Sequence, residues 1–545
     1  MDLLLAFVIA MVITMALIPP LVKGAARLQV LDAPGSRKVH TQPIPRVGGI
    51  AMVVGTVVPL YVWLAMDATL LAYLLAVLVL IGFGAWDDRV SLSPITKLVG
   101  QCIAVLIVML AGHVQVDSVM LAERVILPHW LGFALTFLFL LGLTNAINLS
   151  DGLDGLAGGT TLLCCAALAL LAQNWGVRFV QTVGFVLMGA LTGFLRFNTY
   201  PARIFMGDAG SQFLGFSVAV LSILLTQQTA SPLSTALPLL LVGLPILDTL
   251  TVVILRLSAG RSPFAADRQH FHHRLIALGF DHHEAVILIY GVQCLLLLLA
   301  WQLRFESDLL IAGIFLLFAL GVSGGVLLLE RRGWRWRAPR SAPQSTPLAR
   351  LRAWLGAPYR LRRWALRTAL LCTAVYLLAE ARYGTPVSAD IGTLALAGFA
   401  TLALGLWWRR SAFGGLWLTR AALYVAIVMA VYLDRGSVQP PWLLNAAEWL
   451  ALPLLALATV VAMRLSGDRR FETTPLDLLL IFGALALPNL PGLEHAPRHL
   501  GLSVAELVAL CYAVEMISTM GTRLQTGLRA CALLFFAVIA LRAWH

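Results

Sequence analysis

The sequence predicts an all-α polytopic membrane protein: a bundle of about eleven helices followed by about seven further transmembrane helices. Three observations carry that prediction. Hydrophobic residues make up 60% of the 545 residues and charged ones 12%, against about 45–50% and about 25% in soluble domains. A water-soluble globule of this composition would lack the charge to coat its surface. Apolar runs approaching bilayer-spanning length recur from end to end. These runs are continuous, not alternating, which selects helices over a barrel, the two structures that satisfy every backbone group in lipid.

Taken in order, the runs of the first part are Leu3–Val22, Ile50–Leu64, Leu70–Gly84, Leu98–Leu110, Leu131–Leu149, Leu156–Leu171, Phe179–Phe194, Phe213–Leu225, Leu237–Leu255, Ala285–Ala300 and Leu309–Leu329. The first reads as a spanning helix, because no basic residue precedes it and no small-residue cleavage site follows, as a signal peptide would require. Lys23, Arg27, Arg37, Lys38 and Arg46 follow it, while only Asp2 precedes it. That asymmetry places the first loop in the cytoplasm. Alternation then puts the loops around Asp87, Asp151, Arg196–Asp208 and Arg256–His283 on the same side. Residues 331–363 are rich in Arg and Pro and carry no acid, a composition suited to a cytoplasmic linker at an anionic lipid surface. Beyond it lie Trp364–Ala379, Ile391–Trp408, Ala421–Leu433, Trp449–Met463, Leu476–Leu487, Leu502–Met520 and Ala530–Leu541.

The chain therefore divides into a membrane domain over 1–330, the linker over 331–363, and a C-terminal multi-span module over 364–545. The net charge of +12 fits basic residues gathered at the cytoplasmic ends of helices, so membrane lipids are expected as partners and nucleic acid is not. The cysteines lie mostly within apolar runs without zinc or redox spacing. Glu506 and Glu515 fall inside a predicted span, where acids suggest function. Nine residues apart, they point to nearly opposite faces at about 100° per residue, so they are not an evident pair.

Four segments are too polar to be plain connectors. GAWDDR sets Asp87 beside Asp88, a repulsive pair unless a cation lies near. TNAINLSDGLDGLAGG brings Asn145 and Asn148 at a helix end together with Asp151 and Asp154 in a glycine-rich turn; an Asx-turn or N-cap accounts for one Asp, not for the whole run. RFNTYPARIFMGDAGSQF carries Asn198 on its approach and Asp208 in a turn entering a helix. Asp208 suits either helix capping or Mg2+, which takes hard oxygen ligands together with substrate phosphates. GRSPFAADRQHFHHRL gathers Arg268, His270, His272 and His273; with no cysteine nearby, donors to a pyrophosphate are a better reading than a zinc site. His282 and His283 read as loop residues. Together the segments describe carboxylates for Mg2+ and basic donors for phosphate at one membrane face, which points to phosphoryl transfer between a soluble phosphate-bearing metabolite and a lipid.

In this order, DAPGSRKVH with PRVGG, WDDR, NAINLSDGLDGLAGG, IFMGDAGS and SPFAADRQHFHH resemble the polyprenyl-phosphate N-acetylhexosamine-1-phosphate transferases of the glycosyltransferase family 4 type. That superfamily includes phospho-N-acetylmuramoyl-pentapeptide transferase. The resemblance spans about residues 1–330, and the SPF-x-x-DRQH-x-HH form is closer to the branch that transfers GlcNAc-1-phosphate from UDP-GlcNAc to undecaprenyl phosphate. It implies a fold of ten or eleven helices in the bacterial cytoplasmic (inner) membrane, with the active site facing the cytoplasm. The implied reaction takes a UDP-N-acetylhexosamine and undecaprenyl phosphate, releases UMP, and initiates lipid-linked surface polysaccharide such as lipopolysaccharide O-antigen. The implied cofactor is Mg2+, with Mn2+ a candidate substitute, and a homodimer is left open.

By the same resemblance Asp87, Asp88, Asp151 and His270 are catalytic. Asp208, Asp88 and Asn148 are metal ligands. Lys38, Asn148, Asp154, Asn198, Arg268, His272 and His273 bind substrate, with His40 and Lys97 near the carrier phosphate. The C-terminal module is absent from family members of ordinary length. Competing readings are the pentapeptide branch, a lipid-linked saccharide flippase and a polyprenyl diphosphate phosphatase. A flippase would set its binding groups near the bilayer midplane in broken helices, whereas these acids and histidines gather at one face.

Overall fold

The computed structural model describes residues 2–32, 43–121, 123–227, 232–262, 269–336, 358–384, 387–407, 414–434, 450–464, 506, 509–514, 516–517 and 522–544. It divides into two compact units, Met1–Arg340 and Ser341–His545. Eleven of the described helices are long and apolar enough to cross a bilayer, as a polytopic membrane protein requires.

In the first unit the helices are α1 (Asp2–Leu28), α2 (Gly48–Trp63), α3 (Ala68–Val90), α4 (Pro94–Leu110), α5 (His129–Ser150), α6 (Leu156–Trp175), α7 (Arg178–Asn198), α8 (Gly207–Gln227), α9 (Pro238–Leu241), α10 (Gly243–Ser258), α11 (Phe271–Ala277), α12 (His282–Gln302) and α13 (Asp308–Arg331). The expected run Leu237–Leu255 is broken at Val242, which ends α9 and begins α10; Pro245 just beyond offers no N–H to bridge the break. Two short antiparallel ladders join loops: β1 (Leu31–Asp32) with β2 (Ile44–Pro45), and β3 (Ser118–Met120) with β4 (Arg124–Ile126).

At the centre stands α8, 94% buried over its apolar window and packed against α2, α3, α5, α6 and α7. Its small residues Ala209, Gly210, Ser211, Gly215 and Ser217 let neighbouring backbones come close, the usual basis of helix packing where lipid removes a hydrophobic drive. Three of its hydroxyls are satisfied locally. Ser217, Ser222 and Thr226 donate to carbonyls one turn back, and Tyr73 of α3 pairs with Ser217 at 2.8 Å. The strand β2 and the start of α2 are stitched to the approach to α8, with Phe205 N donating to Pro45 O and Gly48 N to Phe205 O. The opposite end of the unit is tied by Asp308, which accepts from the backbone N–H groups of Met120 and Ala236 and from the hydroxyls of Ser234 and Thr235.

The second unit comprises α14 (Pro358–Tyr383), α15 (Ala389–Trp407), α16 (Gly414–Asp434), α17 (Leu452–Arg464) and α18 (Thr522–Trp544) among the described residues. Here α14 packs against α16, α17 and α18. Arg542 of α18 donates to the carbonyls of Ala381 and Gly384 at 2.7 and 2.6 Å, closing the C-terminal end of α14 as a cation should. Glu506 is buried and accepts from Tyr376 at 3.4 Å. The expected span Leu476–Leu487 and Glu515 lie outside the described residues.

Candidate active site

Helix ends of the first unit build the site. Asp87 and Asp88 belong to the last turn of α3, which runs further than the apolar pattern Leu70–Gly84 indicates and ends at Ser91 in a left-handed conformation. Lys97 follows in the opening turns of α4, behind the Ser93 N-cap and Pro94. Asn148 sits in the last turn of α5, and Asp208 opens α8.

The side chains converge. Lys97 Nζ lies 2.5 Å from Asp87 Oδ2 and 2.7 Å from Asp208 Oδ2, so one ammonium bridges carboxylates from α3 and α8. The other Asp87 oxygen accepts from Leu92 N at 2.6 Å. Asp88 points away from Lys97 and caps α8, accepting from the N–H groups of Asp208 at 2.9 Å and Ala209 at 3.3 Å. A carboxylate there meets both the orphan donors and the positive end of the helix dipole. Gly207 makes the cap geometry attainable: its φ is +70°, and a Cβ would lie 2.3 Å from Asp88 Oδ2. Asn148 Nδ2 donates to Asp208 Oδ1 at 3.3 Å and to Ser211 Oγ at 2.7 Å. The side chain of Asp208 is 27% exposed and that of Asp87 only 7%, so Asp208 is the acid open to a ligand.

The loop after α5 brings Asp151 and Asp154 to the same place. Burial, reinforced by the nearby carboxylates of Asp208, Asp154 and Asp88, pushes the Asp151 carboxyl up to about 7. Five acids, Asp87, Asp88, Asp151, Asp154 and Asp208, thus share a region where Lys97 and Arg46 supply positive charge. Asp154 accepts from Ala202 N at 2.9 Å. Asn198 commits both ends of its amide to backbone, accepting from Gly155 N at 3.0 Å and donating to Ile204 O at 2.8 Å. It therefore ties the Asp151–Gly155 loop to the approach to α8.

The histidines close the other side. His270 is the residue before α11, and its Nδ1 lies 2.9 Å from Asp248 Oδ2 on α10. The His272 ring stacks on His270 at 5.9 Å and lies 4.1 Å from His273. A Cβ on Gly152 would fall 2.1 Å from His272 Nε2, so the histidine helix rests directly on the Asp151–Asp154 loop. Burial and the neighbouring imidazoles hold His272 down to about 3. It is a neutral ring at physiological pH and adds no positive charge. His282 and His283 start α12 and flank the Tyr200 ring at 4.5 and 4.8 Å, with His282 also beside Asp154. Sequence reasoning left them as loop residues and passed over Asp248. Lys38, His40 and Arg268 lie outside the described residues.

Among the described residues, no group of three or more His, Cys, Asp or Glu side chains is set to hold a metal by itself. Two carboxylates sharing one ammonium is a different kind of set: hard oxygens that leave coordination positions for phosphate and water.

A helical membrane bundle carries an acid-rich, lysine-bridged crevice beside a histidine helix, and the chain belongs to glycosyl transferase family 4, whose pattern matches residues 70–226. Its relatives narrow the description. The chain is 37% identical over 290 residues to a probable undecaprenyl-phosphate N-acetylglucosaminyl 1-phosphate transferase of Bacillus subtilis (strain 168), covering 52% of this chain and 80% of that one. It is 34% identical over 304 residues to a decaprenyl-phosphate N-acetylglucosaminephosphotransferase of Mycobacterium leprae (strain TN), covering 49% and 75%. An undecaprenyl-phosphate alpha-N-acetylglucosaminyl 1-phosphate transferase of Escherichia coli (strain K12) is 31% identical over 280 residues, covering 49% and 74%.

Proposed function

We propose that this protein transfers N-acetylglucosamine-1-phosphate from UDP-GlcNAc to undecaprenyl phosphate at the cytoplasmic face of a bacterial inner membrane. UMP is released, and the lipid-linked product begins a cell-surface polysaccharide. The observation that carries the reading is the bridge Asp87–Lys97–Asp208 at the mouth of the bundle, next to Asp151 and the histidine helix. Such a crevice suits a diphosphate accompanied by a divalent cation, because the acids repel a naked diphosphate and hold a cation that attracts it. The relatives are named as N-acetylglucosamine-phosphate transferases of undecaprenyl and decaprenyl phosphate, which supports the lipid acceptor and the sugar phosphate in this reading.

Mg2+, when bound, offsets the charge that develops on the departing UMP. Asp208, with Asn148 steadying its Oδ1, is the residue to hold it, and Mn2+ is expected to substitute. Asp88 acts from behind, fixing the N-terminus of α8 and with it the Asp208 carboxylate. Asp87 orients the acceptor phosphate for attack on the β-phosphorus of the donor. Lys97 meets phosphate oxygens once they enter, since a compact ammonium between two acids is free to pivot onto a third anion. His270 and His273 contact the diphosphate or the sugar, and Asp154 the nucleoside. Neutral His272 packs against Gly152 and keeps the two loops in register. Catalysis here is chiefly placement and charge neutralisation, as phosphoryl transfer allows.

The test is UMP release by the purified chain. It should require undecaprenyl phosphate and UDP-GlcNAc together and stop on chelation with EDTA. UMP formed without the lipid, or phosphate released from polyprenyl diphosphate without a nucleotide sugar, would replace this reading with a hydrolase.

A further inference from the structure

Asp248 lies in the wall of the bundle, on α10, and is 5% exposed. An acid in an apolar helix is expensive unless every lone pair is used. Both oxygens are used, and both on one short element. Oδ2 meets His270 Nδ1 at 2.9 Å, and Oδ1 accepts from Phe271 N at 2.7 Å. His270 is the N-cap of α11, and its own side chain makes no capping bond. The carboxylate of another helix therefore supplies the cap oxygen for the first helical N–H of α11, while its second oxygen meets the ring Nδ1 of the residue before it. At its far side α11 is held by a second acid, since Arg274 donates Nε and Nη2 to the two oxygens of Glu330 on α13 at 2.8 and 2.7 Å. The helix with the histidines is clamped between two carboxylates.

An ionised carboxylate can only accept, so the proton of this pair resides on His270 Nδ1 and the ring presents Nε2 on its other edge. Asp248 itself is almost wholly buried. The cavity it lines with Ser150, Thr160, Leu244, Phe271 and His272 has room for about one water molecule. Resting on the donor and acceptor assigned above, we propose that Asp248 is a positioning residue that acts through His270. It seats α11 against the Asp151–Asp154 loop and fixes the His270 tautomer, so that Nε2 is the acceptor offered to a substrate O–H group, a sugar hydroxyl or a protonated phosphate oxygen.

The experiment uses the full-length protein in detergent, with a radiolabelled donor to reach low rates. Asp248→Asn keeps the shape and one acceptor oxygen but can place a donating amide against Nδ1. Its kcat should fall about 10- to 100-fold, as for other carboxylates that orient a histidine, with KM for UDP-GlcNAc little changed and the thermal midpoint kept. Asp248→Glu should regain part of the rate. If Asp248 acts only through the imidazole, adding Asp248→Asn to His270→Ala should cost nothing beyond His270→Ala alone. Wild-type kcat in Asp248→Asn, a double variant far below His270→Ala, or a collapsed thermal midpoint each overturns the proposal, the last two by making the carboxylate a structural one. The tautomer is read without turnover by 15N spectra of histidine-labelled protein. The ring signal missing from His270→Gln should be Nδ1-protonated in the wild type and altered in Asp248→Asn. An inactive wild type that still shows this signal counts against the assigned reaction and leaves the Asp248 pairing standing.

Discussion

Replacing Lys97 by Met removes the ammonium and keeps most of the side-chain volume. The two bonds it makes, 2.5 Å to Asp87 and 2.7 Å to Asp208, are both charge-assisted. Bonds of that kind contribute about 1.5–3 kcal/mol each. The lysine is 31% exposed, which puts the pair toward the lower end of that range. A divalent cation drawn to Asp208 competes with the lysine for the same oxygen. Releasing one such bond corresponds to about a 10-fold or greater gain in ion affinity at 1.4 kcal/mol per decade. Transfer should move the other way, falling about 100- to 1,000-fold with the loss of a donor to the developing phosphate charge. Titration of Mn2+ by electron paramagnetic resonance, beside a UMP-release assay on the same preparation, reads both quantities. Weaker Mn2+ binding in Lys97→Met would refute the competition, and an unchanged rate would remove Lys97 from the transfer step.

Asp208→Ala and Asp87→Ala should each abolish transfer in isolated membranes at unchanged expression; activity in either variant excludes that residue from the chemistry. Gly152→Ala drives a methyl into the space of His272 Nε2, 2.1 Å away. It should lower transfer at least about tenfold while circular dichroism keeps the helical signal, the kind of loss expected from displaced catalytic geometry. Asp151 should show in stability against pH. The unfolded carboxyl loses its proton near 3.8 and the folded one near 7, so between those values the folded state binds the extra proton and stability falls as pH rises. In metal-free buffer the thermal midpoint of Asp151→Asn should therefore climb relative to wild type from pH 4 to pH 7. Parallel curves would contradict the shared-charge description of the crevice.

The acids and histidines were legible because each interrupts an apolar run at a helix end, where a membrane protein has little other reason to place charge. Asp87, Asn148, Asp151, Asp208 and His270 all announce themselves that way. Their pairing was not legible. Lys97 meets an acid 111 residues further along the chain, and no local pattern encodes that. Nor does sequence tell a ligand from a support: Asp88 caps α8, and Asn198 joins two loops through backbone. Asp248 was overlooked because LDTLTVV reads as one more stretch of spanning helix. The signal was an acid inside an apolar run, and its partner is the residue that precedes a separate short helix. The strands β1 to β4 are two or three residues long, too short for an alternating pattern to register.

The proposed grip of one divalent ion and one diphosphate by residues from separate loops can be tested directly. With Mn2+ in place of Mg2+ and UDP-GlcNAc added, pulsed electron–nuclear double resonance should show phosphorus coupled to the manganese in the wild-type protein. Asp208→Asn should lose the coupling, whereas Lys97→Met should retain the ion. Phosphorus coupling of wild-type strength in Asp208→Asn would mean that the ion sits elsewhere and that the crevice between α3 and α8 is not where the sugar phosphate is transferred.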